Sequence, residues 1–258
     1  MLAALWPQDM AAPLWQRRAV AAPITKTDLI WDILHEDAPA LPSPIRAVVV
    51  LAGVTEGSPE ELHSNTTLAQ AGCALAQRLG VKALVASSQA VYGRATGIMS
   101  ETDTPTPATP YGQAKWDMEK AVSAQADVTS LRIGNVAGCD GLFQAMTRGS
   151  VLIDQLTDGQ GPRRMMIGSR DLARVLGVLS ATQTPLPKVI NVASPGLVAM
   201  NAMADAAGAA WDWQPAPDTA LPVLEMDVGA LAAHIALPAA TAVDLVAQAR
   251  AGGWTSGS

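Results

Sequence analysis

The chain has 258 residues, 49% hydrophobic and 16% charged, which is enough apolar material for one large α/β core and excludes a disordered chain. Its net charge of −6 argues against nucleic acid as a partner, because phosphate binding wants clustered Lys and Arg. The apolar stretches are short and broken by Gly, Pro or charge, so no membrane span is expected and a cytoplasmic location is the default.

In chain order, "MLAALW" reads as the end of a helix and "AAPLWQRR" (11–18) as a strand, with a further strand ending near "LIWDIL". Continuous apolar runs of the kind buried parallel strands need follow at 47–53, 82–88 and 128–136. Between them, residues 60–79 place Leu68, Ala71, Leu75 and Leu79 at helical spacing, with Gly80 as the stop. Residues 111–124 form a second helix opened by Pro110. Strands alternating with helices predict right-handed crossovers and a Rossmann-like, doubly wound parallel sheet.

Cys73 and Cys139 are too few and too far apart for a disulfide framework or a metal site, and both are expected to pack as free thiols. His35, His63 and His234 have no ligand-like spacing, and the seven Trp are expected in packing roles. Beyond residue 138 a helix is expected at 170–181, a strand at 188–194 and helices at 199–211 and 241–254, with the Pro-rich 211–222 as a surface connection. The expected division is a nucleotide-binding domain over 1–138 and a small C-terminal substrate lobe over 139–258, with about 170–194 returning to the sheet. A sheet of this kind that binds dinucleotides opens with a strand, a Gly-rich turn and a helix. No such turn stands before residue 53, so the first strand is expected to be missing through a shortened N-terminus.

Tyr111 and Lys115 stand four apart on one helical face. An ammonium beside a phenol favours the phenolate and makes Tyr111 a usable general acid or base at a carbonyl or alcohol. A surface i,i+4 pair is the plainer alternative. Ser88 ends the run 82–88, at the carboxyl edge where ligands sit, and its hydroxyl could hold the oxygen that Tyr111 protonates; Ser87 competes for that role.

Several ordered pieces resemble the extended short-chain dehydrogenases, the NAD-dependent epimerases and dehydratases. They are "VVVLAG" (48–53), Asn65, "SSQAVYG" (87–93), Glu101 ahead of "PTPATPYGQAK" (105–115), and "LRIGNVAG" (131–138). The resemblance implies a catalytic set of Ser88, Tyr111, Lys115 and Asn65, with Lys115 also binding the nicotinamide ribose and lowering the Tyr111 pKa. It implies cofactor contacts at Ala52 and Gly53 to the adenosine half, at Ser87, and at Gly134, Asn135 and Val136 beside the nicotinamide and the substrate entrance, with substrate contacts at Ser88, Gln89 and Asn135. Arg17 and Arg18 could meet a 2′-phosphate, which modestly favours NADP over NAD. Asp32 and Ile33 could touch adenine, although a loop Asp is an equal alternative. Arg164, beside Arg163, could face a substrate phosphate, although a solvated turn is the plainer reading.

Sugar 4,6-dehydratases resemble one another in an acidic pair where this chain has Gln89 and Ala90, so dehydration is disfavoured. The expected function is an NAD(P)-dependent ketone or aldehyde reductase, or a nucleotide-sugar epimerase, acting on a small molecule and homodimeric in the manner of the family. The rival is a non-catalytic nucleotide sensor or structural protein that kept the scaffold.

Overall fold

A computed structural model describes residues 1–18, 27–42 and 44–257. The short helix α1 (Leu2–Leu5) is followed by a parallel pair, β1 (Trp15–Arg17) and β2 (Asp28–Ile30). Next come β3 (Ala47–Val50), α2 (Pro59–Leu79) and β4 (Lys82–Ser88). A 3₁₀ turn over Gln89–Tyr92 and β5 (Ile98–Met99) lead to α3 (Pro110–Val122), β6 (Val128–Ile133) and β7 (Asn135–Val136). The rest comprises α4 (Gly141–Arg148), β8 (Val151–Gln155), β9 (Arg163–Ile167), α5 (Ser169–Ala181), β10 (Val189–Val192) and β11 (Leu197–Ala199). It closes with α6 (Met200–Ala207), β12 (Trp211–Pro215), β13 (Val223–Met226), α7 (Gly229–Ala232) and α8 (Ala242–Ala251).

The central sheet is parallel, in the order β10-β6-β4-β3. Alternate residues of its strands fill two separate cores, as the two-residue repeat of a strand requires. Val50, Ala83, Val85 and Val128 pack with Ala69, Cys73 and Ala76 of α2 and Met118 and Val122 of α3. Leu84, Leu131, Ile133, Ile190 and Val192 pack on the other face with Leu172, Val175, Leu176 and Leu179 of α5, with Leu2 and Trp6 at the margin. Helices on both faces make the sheet doubly wound, as expected.

Local chemistry sets the helix ends. Ser58 and Glu61 form a reciprocal capping box ahead of α2, Pro59 takes the first helical position, and Gly80 closes the helix in the left-handed region. Thr109 caps α3 by accepting from the Gly112 N–H at 3.0 Å.

The strand expected at 188–194 is β10, but sequence reading missed most of the other β-structure of the second half. The stretch 211–222 is not merely a connection: Trp211–Pro215 is strand β12, parallel to β8, and Trp211 and Trp213 meet edge to face. Arg163 and Arg164 lie in β9, not in a solvated turn; β9 pairs with β7, β11 and β13. Cys139 is exposed, whereas Cys73 is buried as expected. Around β8, Phe143, Met146, Met203, Leu245, Val246 and Trp254 build another core from α4, α6 and α8. Among the described residues no helix is long and apolar enough to cross a membrane.

Candidate active site

The carboxyl ends of β3 and β4, the 3₁₀ turn and the first turn of α3 meet at one place. Two glycines allow this. Gly93 closes the 3₁₀ turn at φ 61°, and a Cβ there would fall 1.9 Å from the Thr106 carbonyl oxygen. Gly112 lets α3 approach the turn, since a Cβ there would lie 2.5 Å from the Ala90 carbonyl oxygen. Ser88 and Tyr111 are thereby brought together.

The Ser88 hydroxyl accepts from the Ala90 N–H at 3.1 Å and lies close enough to the Tyr111 phenol to favour its ionised form. Burial raises the Tyr111 pKa, and only Ser88 opposes it. The expected lowering is therefore not what the protein alone provides: the phenol is held protonated. Lys115 sits below, 5% exposed, with Nζ 5.9 Å from the Tyr111 ring centroid and donating to the Ala86 carbonyl at 2.8 Å. Burial depresses its pKa to about 8, against the opposing field of Glu119.

Asn65 is buried beside this group. Its Nδ2 donates to the carbonyls of Val54 (2.9 Å) and Leu62 (2.8 Å), and its Oδ1 accepts from the Val54 N–H (3.2 Å). Its amide thus clips the loop after β3 to α2. A Cβ on Gly53 would lie 2.5 Å from Asn65 Oδ1 and 3.2 Å from Lys115 Nζ, so Gly53 is the cradle on which both side chains converge. Ala52 and Gly53 are exposed.

Other expected contacts fall elsewhere. Ser87 does not face a ligand: it is 4% exposed and donates to Glu119 Oε1, because its strand parity turns it towards α3. Gly134 is buried between strands, where a Cβ would meet the Met165 carbonyl oxygen at 2.8 Å. Val136 lies in β7 against Ile167. Asn135 accepts from Gln89 Nε2 and donates to Asp140 Oδ2 at 2.8 Å, so Gln89 and Asn135 do come together next to Ser88. Arg164 lies in β9, donating to the carbonyls of Arg163 (2.8 Å) and Pro222 (3.4 Å).

At the outer pair, Arg17 Nε is 3.2 Å from Asp28 Oδ1, and Arg18 is exposed. Asp32 caps its own turn, accepting from the Leu34 N–H at 3.0 Å and pairing with His35 Nδ1 at 3.0 Å; Ile33 is half-buried beside it.

The buried network behind the site escaped sequence reading. Arg132 and Glu119, 2% and 3% exposed, form an ion pair at 2.8 Å. Arg132 Nη1 donates to Tyr92 Oη at 3.0 Å, and Tyr92 donates to Asn191 Oδ1 at 2.7 Å. The available signals were an Arg inside the otherwise uncharged run 128–133 and a Glu four residues beyond Lys115.

The residues fit the nicotinamide half of a dinucleotide: an ammonium with donors to spare, a protonated phenol, and the exposed Ala52–Gly53 backbone. They do not supply a phosphate-cradling turn, since the chain has no glycine before Gly53.

Comparison with known proteins agrees with this geometry. Residues 9–193 match the family described as NAD dependent epimerase/dehydratase. Among solved structures, the chain is similar to MoeE5 in complex with UDP-glucuronic acid and NAD, at 23% identity and TM-score 0.69, covering 90% of this chain and 88% of that one. It is also similar to TunA, an NAD-dependent NDP-hexosamine 5,6-dehydratase of tunicamycin biosynthesis (21%, TM-score 0.67, 89% and 84% covered). A third is UDP-glucuronic acid 4-epimerase from Bacillus cereus with NAD (17%, TM-score 0.69, 86% and 79% covered). No curated protein sequence matches the chain. Because that family match spans most of the length, the chain belongs to the NAD-dependent epimerase/dehydratase family of enzymes.

Proposed function

We propose that this protein is a nucleotide-sugar epimerase or closely related oxidoreductase acting at one carbinol or carbonyl carbon. The carrying observation is the half-buried Tyr111 phenol next to Ser88 at the carboxyl edge of the sheet, with Lys115 Nζ 5.9 Å from its ring. Ser88 holds the substrate oxygen and Tyr111 moves its proton. A phenol kept protonated by burial is poised to donate to a ketone oxygen; removing a proton from an alcohol requires the Lys115 charge to stabilise the phenolate. Bound NAD(P) supplies reversible hydride transfer. Tyr111, Lys115, Ala52 and Gly53 hold its nicotinamide half, with Asn65 positioning Gly53. Solved relatives carry NAD, and Arg17 is engaged by Asp28, so NAD is favoured over the NADP that Arg17 and Arg18 suggest from sequence. Residues 139–258, apart from α5 and β10, form the lobe that receives the sugar. A homodimer through the outer faces of α2 and α3 belongs to the same reading.

Titration with NADH and NADPH, followed by nicotinamide fluorescence, tests it. Saturable binding, then turnover of a UDP-sugar that Tyr111→Phe abolishes, supports the enzyme. Saturable binding without turnover of any UDP-sugar favours a nucleotide sensor. Absence of binding to either cofactor overturns both.

A further inference from the structure

Gln89, the first residue of the 3₁₀ turn after Ser88, is 7% exposed, and its two amide ends are treated differently. Nε2 donates to Asn135 Oδ1, while Oε1 is buried with no hydrogen-bond partner among the described residues. The orientation of this amide is determined by chemistry further along. Asp140 caps α4, accepting from the Phe143 N–H at 3.0 Å, and accepts from Asn135 Nδ2 at 2.8 Å. Burial raises the Asp140 pKa, but the Phe143 and Leu142 N–H groups and Asn135 favour the carboxylate, which can only accept; Asn135 therefore turns its NH₂ towards Asp140 and its oxygen towards Gln89. Gln89 must then offer its NH₂ to Asn135 and keep its carbonyl oxygen free. A buried acceptor without a donor costs free energy unless a ligand satisfies it.

Resting on the nucleotide-sugar reading above, we infer that Gln89 is a specificity residue whose free carbonyl oxygen accepts a hydrogen bond from a sugar hydroxyl, selecting a neutral hexose over a uronic acid. A hydroxyl has a proton to give to that oxygen. A carboxylate has none and sets lone pair against lone pair in a place where its charge is desolvated. The chain Asp140–Asn135–Gln89 prevents the amide from turning over to welcome it.

The test is calorimetric titration of the full chain, in the presence of NAD, with UDP, UDP-glucose and UDP-glucuronic acid. The wild type is expected to bind UDP-glucose about tenfold more tightly than UDP-glucuronic acid, the scale of one buried hydrogen bond. Gln89→Leu should weaken UDP-glucose about tenfold and, by removing the opposed lone pair, leave UDP-glucuronic acid bound as tightly as before or more tightly. Asp140→Asn keeps a helix cap but frees both amides to rotate, and should narrow the discrimination from the other direction by improving UDP-glucuronic acid. Equal affinities in the wild type, or Gln89→Leu weakening both sugars alike, overturns the inference while leaving the nucleotide-sugar reading intact. Failure to bind UDP and both sugars overturns that reading and this inference with it.

Discussion

Tyr111 and Lys115 share one face of α3, yet burial pushes both towards their neutral forms, raising the phenol pKa and depressing the ammonium to about 8. Tyr111 therefore needs Lys115 or substrate to reach the phenolate, whereas Lys115, at about 8, keeps its proton at neutral pH. Tyr111→Phe should reduce turnover by roughly 100- to 10,000-fold while nicotinamide binding persists, read as kcat against cofactor Kd. Lys115 makes a second prediction. In the unfolded chain it titrates near its ordinary value of 10.5, so between about pH 8 and pH 10.5 the unfolded state holds more protons and stability rises with pH. Across that window the wild type should gain on the order of 3 kcal/mol relative to Lys115→Met, seen in urea unfolding at several pH values. Parallel pH profiles for the two proteins would refute a buried, desolvated Lys115. The pair itself was legible as Tyr-x-x-x-Lys. The direction of the tyrosine shift was not, because spacing shows which residues are neighbours but not how far both are removed from water.

At the scale of elements, close approach of backbone is what the site depends on. Gly72 of α2 lies against β3, and a Cβ there would stand 2.3 Å from Val50 Cγ2. Because a β-branched valine cannot swing aside, Gly72→Ala should cost about 1–3 kcal/mol in denaturant unfolding without altering the site's chemistry. Gly112→Ala differs. Its clash is with the Ala90 carbonyl, so relief separates α3 from the 3₁₀ turn and moves Tyr111 from Ser88. It should lower kcat far more than it lowers stability. The central strands and their helices were readable because strands buried on both faces are rich in apolar residues, as in β3, although the fully buried 128–133 also carries Thr129, Ser130 and Arg132. β12 was not readable. Its pattern is half exposed, it contains Pro215, and it forms only because β8, about sixty residues away, provides a parallel partner. The same reasoning covers β5, β9, β11 and β13, which are short and take their partners from distant parts of the chain.

For the whole molecule, the question is what joins the central sheet to the strands of the second half. Asn191 does so from β10, fully buried. Its Nδ2 donates to the carbonyls of Met99 in β5 (3.1 Å) and Asp227 after β13 (2.9 Å). Its Oδ1 accepts from Tyr92, and its backbone N–H donates to Glu101 Oε1 at 2.9 Å. Through Tyr92 it reaches the Arg132–Glu119 pair and so the face of α3 that carries Lys115. A polar side chain this deep is costly to leave half-satisfied, since each stranded partner carries a desolvation penalty of about 1–3 kcal/mol. Asn191→Leu keeps the volume but strands the Asp227 carbonyl, while the Met99 carbonyl keeps the Asp227 N–H and Tyr92 keeps the Ser100 carbonyl and Arg132. Destabilisation of about 1–3 kcal/mol is expected, concentrated where the two sheets meet. The distinguishing sign is cooperativity: the wild type should unfold in one urea transition, whereas Asn191→Leu should show a lower m-value or two transitions by Trp fluorescence and far-UV dichroism. A single, merely shifted transition with an unchanged m-value would mean that apolar packing, rather than this hydrogen-bonded seam, makes the two parts fold as one.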